Sequence, residues 1–90
     1  MTGFMTDPEV AAIAPAEPAL TPYDRAHRVT YLRLLDAHAE GIEWREIVRT
    51  VLHIDPDREQ EHARKTFESH LARAQWMTEQ GYRQLLKGFE

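Results

Sequence analysis

The sequence contains no cysteine among its 90 residues. A disulfide framework, a thiolate metal site and a cysteine nucleophile are therefore excluded. No apolar run approaches the roughly 20 residues that a membrane-spanning helix needs. The first apolar stretch has no basic residue ahead of it, which is atypical of a secretory signal. We therefore expect a cytoplasmic protein with no membrane association.

Signatures of catalysis and of metal binding are also missing. The four glycines are scattered, so there is no glycine-rich phosphate loop. The five histidines include no HExxH motif and no i, i+4 pair, the spacings that hold zinc on a helix. His27, His38 and His70 fall on or beside apolar helix faces, where hydrogen-bonded core histidines are expected rather than ligands. We expect no enzyme activity, no metal and no cofactor.

Basic charge is scarce. The chain has 11 Lys and Arg against 15 Asp and Glu, a net charge of −4. The first twenty residues hold three acids and no base, so residues 21–90 carry 11 basic and 12 acidic residues. A DNA-binding domain usually shows a basic patch, because neutralising phosphates supplies much of its affinity. This balance indicates that DNA is not a partner.

The chain divides into an N-terminal segment and one domain. Residues 1–20 carry Pro8, Pro15 and Pro18 and show no hydrophobic periodicity, which predicts a disordered arm. Residues 21–90 show helical periodicity throughout and no strand pattern. They form the folded domain in this interpretation.

Helix one is predicted to run from an N-cap at Thr21, with Pro22 at its first position, to a C-terminal stop at Gly41. A second apolar stripe on the same helix contains Val29 and Leu32. We expect the helix to be buried on both sides; contact of the second stripe with a partner is the alternative. The first stripe consists of Tyr23, His27, Tyr31, Leu34, Leu35 and His38.

Two more long helical patterns follow, and then a short one. Helix two is "EWREIVRTVL", whose apolar residues recur at i, i+3, i+4, i+7 and i+8. Helix three is predicted from the Asp57 region to about Gln80, and a short last helix from Tyr82 to Phe89. The predicted fold is all-α: a trihelical, helix-turn-helix-like domain with an extended turn and a short C-terminal helix.

The stretch "VLHIDPDREQEHARK" lies where a helix-turn-helix protein places its turn and the start of its reading helix. Between residues 55 and 68 there are three cations and five anions. Acids beside phosphates would repel DNA, so this face is interpreted as a degenerate DNA-reading face. Its residues are Asp57, Glu59, Glu61, Arg64 and Lys65.

Residues 20–88 show the pattern "YLRLLDA…G.EWREI…VL.IDP…A…FESHLARA.WM.E.GYR.LL". In this pattern the sequence resembles the proteobacterial family known as domain of unknown function twenty-two eighty-five. The resemblance implies a helix-turn-helix with an extended turn and an association with integrative and conjugative elements. Members fused to another domain activate transfer genes and bind DNA through a basic face. Small acidic members act as antiactivators that engage the activator protein.

Because this chain is short and acidic, the resemblance implies an antiactivator that blocks expression of the element's transfer and excision genes. Its expected partners are transcriptional activators, a quorum-sensing regulator among them, and we expect it to be a monomer. A helix-turn-helix transcriptional regulator that binds DNA is the alternative. Periodicity suggests a partner-binding face made of Arg25, Val29, Leu32, Trp76 and Tyr82.

Overall fold

The computed structural model describes residues 9–81, where the regular secondary structure is helical and no strand is present. This confirms the all-α class, and the arrangement is compatible with a small helix-turn-helix-like domain. The short C-terminal helix predicted over residues 82–89 lies outside the described residues. No helix within 9–81 is long and apolar enough to cross a membrane. The elements are α1 (Pro22–Ala26), α2 (Arg28–Ala39), α3 (Trp44–Ile47) with a π-helical turn (Val48–Leu52), and α4 (Gln60–Trp76) with a second π-helical turn (Met77–Gly81).

The predicted helix one begins and ends as expected but is broken in the middle. The Thr21 hydroxyl accepts a hydrogen bond from Asp24 N, and the Asp24 carboxylate accepts one from Thr21 N, which is a capping box. Gly41 ends α2 with a φ of 78°, the conformation that favours glycine. At His27, φ is −109° and ψ is 24°, so α1 stops after five residues and α2 starts afresh. The prediction of one continuous helix is therefore wrong at His27. The His27 ring contacts the carbonyl oxygen of Tyr23 through Nδ1 (2.8 Å) and that of Glu9 through Nε2 (2.9 Å). The hydrophobic periodicity of the sequence cannot predict such polar contacts.

The core lies between α2, α4 and the short α3 with its π-helical turn. The amphipathic pattern of helix two is confirmed, since four of its five apolar residues are buried and Trp44 is half-buried. Each helix brings its apolar face to this centre, so the packing orients the opposite faces of α3 and α4 to solvent. The core residues are Tyr31, Leu34, Ile47, Val48, Val51, Leu52, Ala63, Phe67 and Ala74.

The outer side of α2 is exposed in the part of the chain that the structure describes. Val29 is 52% exposed and Leu32 is 61% exposed, whereas Tyr31 and Leu34 on the inner side are buried. The expectation that this helix is buried on both sides is therefore wrong. The second apolar stripe belongs to the surface of the chain.

Residues 9–19 form an extended segment, here called the N-terminal strap, which packs along α1 and α4. Ala14 is buried, and its N–H donates to Ser69 Oγ at 3.0 Å. Thr66 Oγ1 donates to Ala12 O at 2.8 Å. The expectation of a disordered arm over residues 1–20 is therefore wrong for the strap. Side chains from distant helices form hydrogen bonds with its backbone and so offset the entropy cost of ordering it. Residues 1–8 lie outside the described part of the chain.

Candidate nucleic-acid interface

Seven residues, 53–59, connect the π-helical turn that follows α3 to α4. His53 ends the π-helical turn in the left-handed region, with a φ of 60° and a ψ of 40°. Pro56 is fully buried and fixes the connection against the core. Asp55 Oδ1 accepts a hydrogen bond from Asp57 N at 2.9 Å, an Asx turn that bends the backbone towards α4. The connection is thus longer than the usual turn of three or four residues, yet it is ordered.

Asp57 joins this connection to the π-helical turn that follows α3. Arg49 Nη2 donates to Asp57 Oδ2 at 2.9 Å, and Arg49 Nη1 lies 3.6 Å from Glu46 Oε1. The carboxylate that the sequence assigns to a DNA-repelling face is therefore engaged within the protein. The pair bridges the connection and the π-helical turn on the surface of the protein.

The first three turns of α4 have one buried side and one polar side. Ala63, Thr66 and Phe67 face the core. The opposite side is open to solvent, as a helix that reads DNA requires. Its exposed residues are Gln60, Glu61, His62, Arg64, Lys65 and Glu68.

Three of the five carboxylates between residues 55 and 68 accept hydrogen bonds from groups within the chain. Arg64 Nε donates to Glu68 Oε2 at 2.8 Å, while Asp55 and Asp57 are held as described above. Within 55–68 this leaves two exposed cations and two exposed anions whose side chains make neither an ion pair nor a hydrogen bond among the described residues. The face is therefore nearly balanced rather than acidic. The four residues are Arg58, Lys65, Glu59 and Glu61.

Two guanidinium groups lie close to the Trp44 indole ring, beside the start of α4. The Cζ atom of Arg64 lies 5.1 Å from the centroid of that ring, and that of Arg45 lies 4.9 Å away. The same indole packs against Phe67 with a centroid distance of 6.2 Å. Both cations are within the range of a cation–π interaction, so Trp44 links the core to the charged surface.

In the part of the chain that the structure describes, the predicted partner-binding residues lie on α1 and α2 and at the end of α4. Arg25, Val29 and Leu32 are exposed along α1 and α2. Trp76 is at the end of α4, and its ring packs against the Arg73 guanidinium, whose Cζ is 4.0 Å from the ring centroid. Tyr82 lies outside the described residues.

A buried ion pair, which sequence reasoning missed, joins α1 to α4. Arg73 donates to both carboxylate oxygens of Asp24, from Nε at 3.0 Å and from Nη2 at 2.7 Å, and Tyr31 Oη donates to the same carboxylate at 2.8 Å. Arg73 also donates to the carbonyl oxygens of Glu17 (2.6 Å) and Ala19 (2.8 Å) in the strap. The available signal was spacing: Thr66, His70 and Arg73 recur along one stripe of helix three.

These contacts change the titration of the buried groups. Burial by itself would raise the pKa of the Asp24 carboxyl, but hydrogen bonds from Arg73, Thr21 and Tyr31 outweigh it and lower the pKa to about 2. Burial, followed by the hydrogen bond to Asp24, raises the pKa of the Tyr31 hydroxyl. The pair is therefore charged at neutral pH, with Asp24 ionised.

His27 and His70 are core histidines with hydrogen-bond partners, as predicted, whereas His38 is exposed. The ring of His70 donates from Nδ1 to Thr66 O at 2.8 Å, and its Nε2 accepts a hydrogen bond from Tyr23 Oη. Burial lowers the pKa of His70, which keeps the ring neutral for these two bonds. This residue serves the packing of α1 on α4.

The sequence matches, over residues 5–87, the RovC DNA-binding domain family, which is described as "T6SS, Transcription factor, DNA binding domain". The chain belongs to this family. No individual curated protein matches it. The match confirms the coarser expectation of a small transcription-regulating domain and gives no support to an antiactivator role.

The expectation that DNA is not a partner is wrong, because the family is one of DNA-binding domains. The error came from counting charges along the sequence. Exposed ion pairs such as Arg49–Asp57 contribute only about 0.2–1 kcal/mol each. Phosphates and bases can replace such carboxylates at little cost, so an acid-rich sequence does not exclude DNA binding.

Proposed function

We propose that the protein is a transcriptional regulator that binds DNA and presents the exposed side of α4 to the major groove. The observation that carries the proposal is the family match over residues 5–87. The exposed side of α4 supports it, since it carries side chains suited to base edges. Gln60 suits adenine and Arg64 suits guanine, while the point charge of Lys65 suits a phosphate.

Cations for phosphate contacts flank this side of α4. Arg49 lies on the π-helical turn before the connection, and Arg58 lies in the connection itself; both are exposed. The partners of Arg49 are the exposed carboxylates of Asp57 and Glu46, so exchanging them for a phosphate costs on the order of 1 kcal/mol. Phosphate contacts of this kind fix the register of a reading helix on the duplex.

The near-neutral charge of the domain has a functional consequence. Non-specific affinity comes almost entirely from phosphate neutralisation, so few free cations give weak non-specific binding. We expect the protein to depend on base contacts for a larger share of its affinity than a strongly basic domain does. The family match is to a DNA-binding domain, which favours DNA binding over the antiactivator role that the resemblance implies.

The test is selection of binding sites from a pool of random duplexes, followed by fluorescence anisotropy on the enriched site. We expect a defined motif and an affinity that falls as salt is raised. The double variant Arg58→Ala/Lys65→Ala should weaken binding on the order of tenfold. Arg28→Ala removes an exposed arginine from the outer side of α2 and is the matched control, expected to bind like the wild type. An unenriched pool, or equal losses in both variants, would contradict the proposal.

A further inference from the structure

Arg64 is the most constrained of the exposed cations on α4. Its Nε donates to Glu68 Oε2 at 2.8 Å, and its Cζ lies 5.1 Å from the Trp44 ring centroid. The side chain nevertheless remains 54% exposed. It is thus held by two neighbours and still reaches solvent, on the side of α4 that is free of core contacts.

The atoms used in these contacts determine which atoms stay available. The guanidinium has five N–H donors in a rigid, planar fork, and Glu68 engages the one on Nε. Neither terminal nitrogen is hydrogen-bonded within residues 9–81. Two parallel donors at this spacing match the O6 and N7 acceptors that guanine shows in the major groove.

We propose that Arg64 is a specificity-determining residue that reads one guanine, and that Glu68 and Trp44 are its positioning residues. This inference rests on the proposed function. Glu68 fixes the rotation of the fork through Nε, and Trp44 limits the swing of the side chain through its ring. Both restrictions exist before DNA arrives, so less side-chain freedom is lost on binding.

The neighbouring cations do not have this arrangement. Lys65 is exposed, makes no ion pair among the described residues, and ends in a point charge rather than a fork. Arg45 also lies near Trp44, but its Nη1 is bound to Glu43 at 3.1 Å, so one of its terminal nitrogens is occupied. Arg64 alone combines a held Nε with open terminal nitrogens among these three.

The experiment measures affinity for the selected site and for a panel in which each base pair of that site is replaced in turn. Arg64→Lys keeps the charge and removes the fork. We expect a loss of roughly 5- to 150-fold on the best site, together with loss of the guanine preference at one position and unchanged preferences elsewhere. Circular dichroism checks that the variant is folded.

The positioning residues give a signature that a simple charge effect does not. Glu68→Gln should reduce the guanine preference several-fold while raising affinity for non-specific duplex, because an anion is removed. Glu61→Gln is the matched control: it removes an exposed anion that makes no ion pair with Arg64 among the described residues, and should raise non-specific affinity without changing the preference. Trp44→Leu should weaken the preference, and Trp44→Phe, which keeps an aromatic face, should retain most of it.

The outcomes separate this inference from the proposed function. If Arg64→Lys keeps every base preference, or weakens binding equally across the whole panel, Arg64 contacts the backbone and the inference is overturned while DNA binding stands. If Glu68→Gln and Glu61→Gln behave alike, the positioning role of Glu68 is wrong. If the wild-type protein selects no site at all, both proposals fail.

Discussion

At the scale of single residues, the buried ion pair of Asp24 and Arg73 links three parts of the fold. It joins the first turn of α1 to α4, and through the Glu17 and Ala19 carbonyls it also holds the strap. Every polar atom of the pair is satisfied. Removing one partner of such a pair leaves the other as an uncompensated buried charge, which is far more costly than losing an exposed ion pair.

We expect Asp24→Asn to lower the free energy of unfolding by about 3–5 kcal/mol at neutral pH. The pKa of Asp24 falls from 3.8 to about 2 in the folded protein. Its contribution is therefore fully present above about pH 4 and is lost as pH falls through about 2. Urea denaturation between these values should show the wild type losing roughly 2 kcal/mol from this group and the variant losing less.

Asp36→Asn removes an exposed carboxylate from α2 and is the control for this measurement. It should leave the stability at neutral pH within about 0.5 kcal/mol of the wild type. If Asp24→Asn is equally mild, the buried pair does not hold the fold together in the way its geometry indicates.

The sequence placed Asp24 correctly beside the start of a helix but gave no indication of its partner. Arginine is ordinarily a surface residue, and Arg73 is separated from Asp24 by 49 positions. The same limit applies to Arg64, whose type and position on α4 were predictable from the sequence. Its contact with Trp44 depends on how two helices pack.

Among the elements, the strap depends most on contacts between distant parts of the chain. Its backbone is held by side chains of α1 and α4, with Ala11 N donating to Tyr23 Oη at 2.9 Å and Ala14 N donating to Ser69 Oγ at 3.0 Å. No strand partner is involved in residues 9–19. The stability of this segment therefore depends on a few identifiable side chains: the hydroxyl groups of α1 and α4 and the Arg73 guanidinium.

Ser69→Ala should release the Ala14 amide. One neutral hydrogen bond contributes about 0.5–1.5 kcal/mol, so the exchange of this amide with solvent deuterium should accelerate roughly 2- to 10-fold. Amide-resolved exchange by NMR measures it directly. Thr50→Ala is the control: it removes an exposed hydroxyl on the π-helical turn, which donates to Glu46 O, and should not alter exchange at Ala14. Unchanged exchange in Ser69→Ala would show that the strap is not held by this contact.

The helices were largely predictable and the strap was not. Capping at Thr21, termination at Gly41 and the apolar pattern of helix two are local signals, and all three appear in the structure. The break at His27 and the docking of residues 9–19 arise from contacts across the fold. Such contacts leave no periodic pattern in a segment rich in alanine and proline.

For the molecule as a whole, the balance of charge sets how DNA binding should respond to salt. Arg49, Arg58 and Lys65 are the cations best placed for phosphates around the start of α4. Three phosphate contacts correspond to a slope of about −3 for the logarithm of the association constant against that of salt concentration.

We expect this slope, per chain, from anisotropy titrations between about 50 and 200 mM salt. Arg58→Ala should reduce its magnitude by about 1, and Arg28→Ala should leave it unchanged. A slope steeper than about −6 would mean that a much larger basic surface is engaged than the exposed side of α4 and its flanks provide.

The strap contacts have a consequence for how this domain can diverge between relatives. Thr66, Ser69 and Arg73 bind the main chain of the strap, so they recognise its path and not the identity of its side chains. Apart from the buried Ala14 and Val10, which packs against the core, residues 9–19 are thus free to accumulate substitutions as long as the path is preserved. The three helix residues that hold it are not. An alignment of relatives should show variable letters along the strap beside constant hydrogen-bonding positions on α4, a pattern easily mistaken for an unstructured tail.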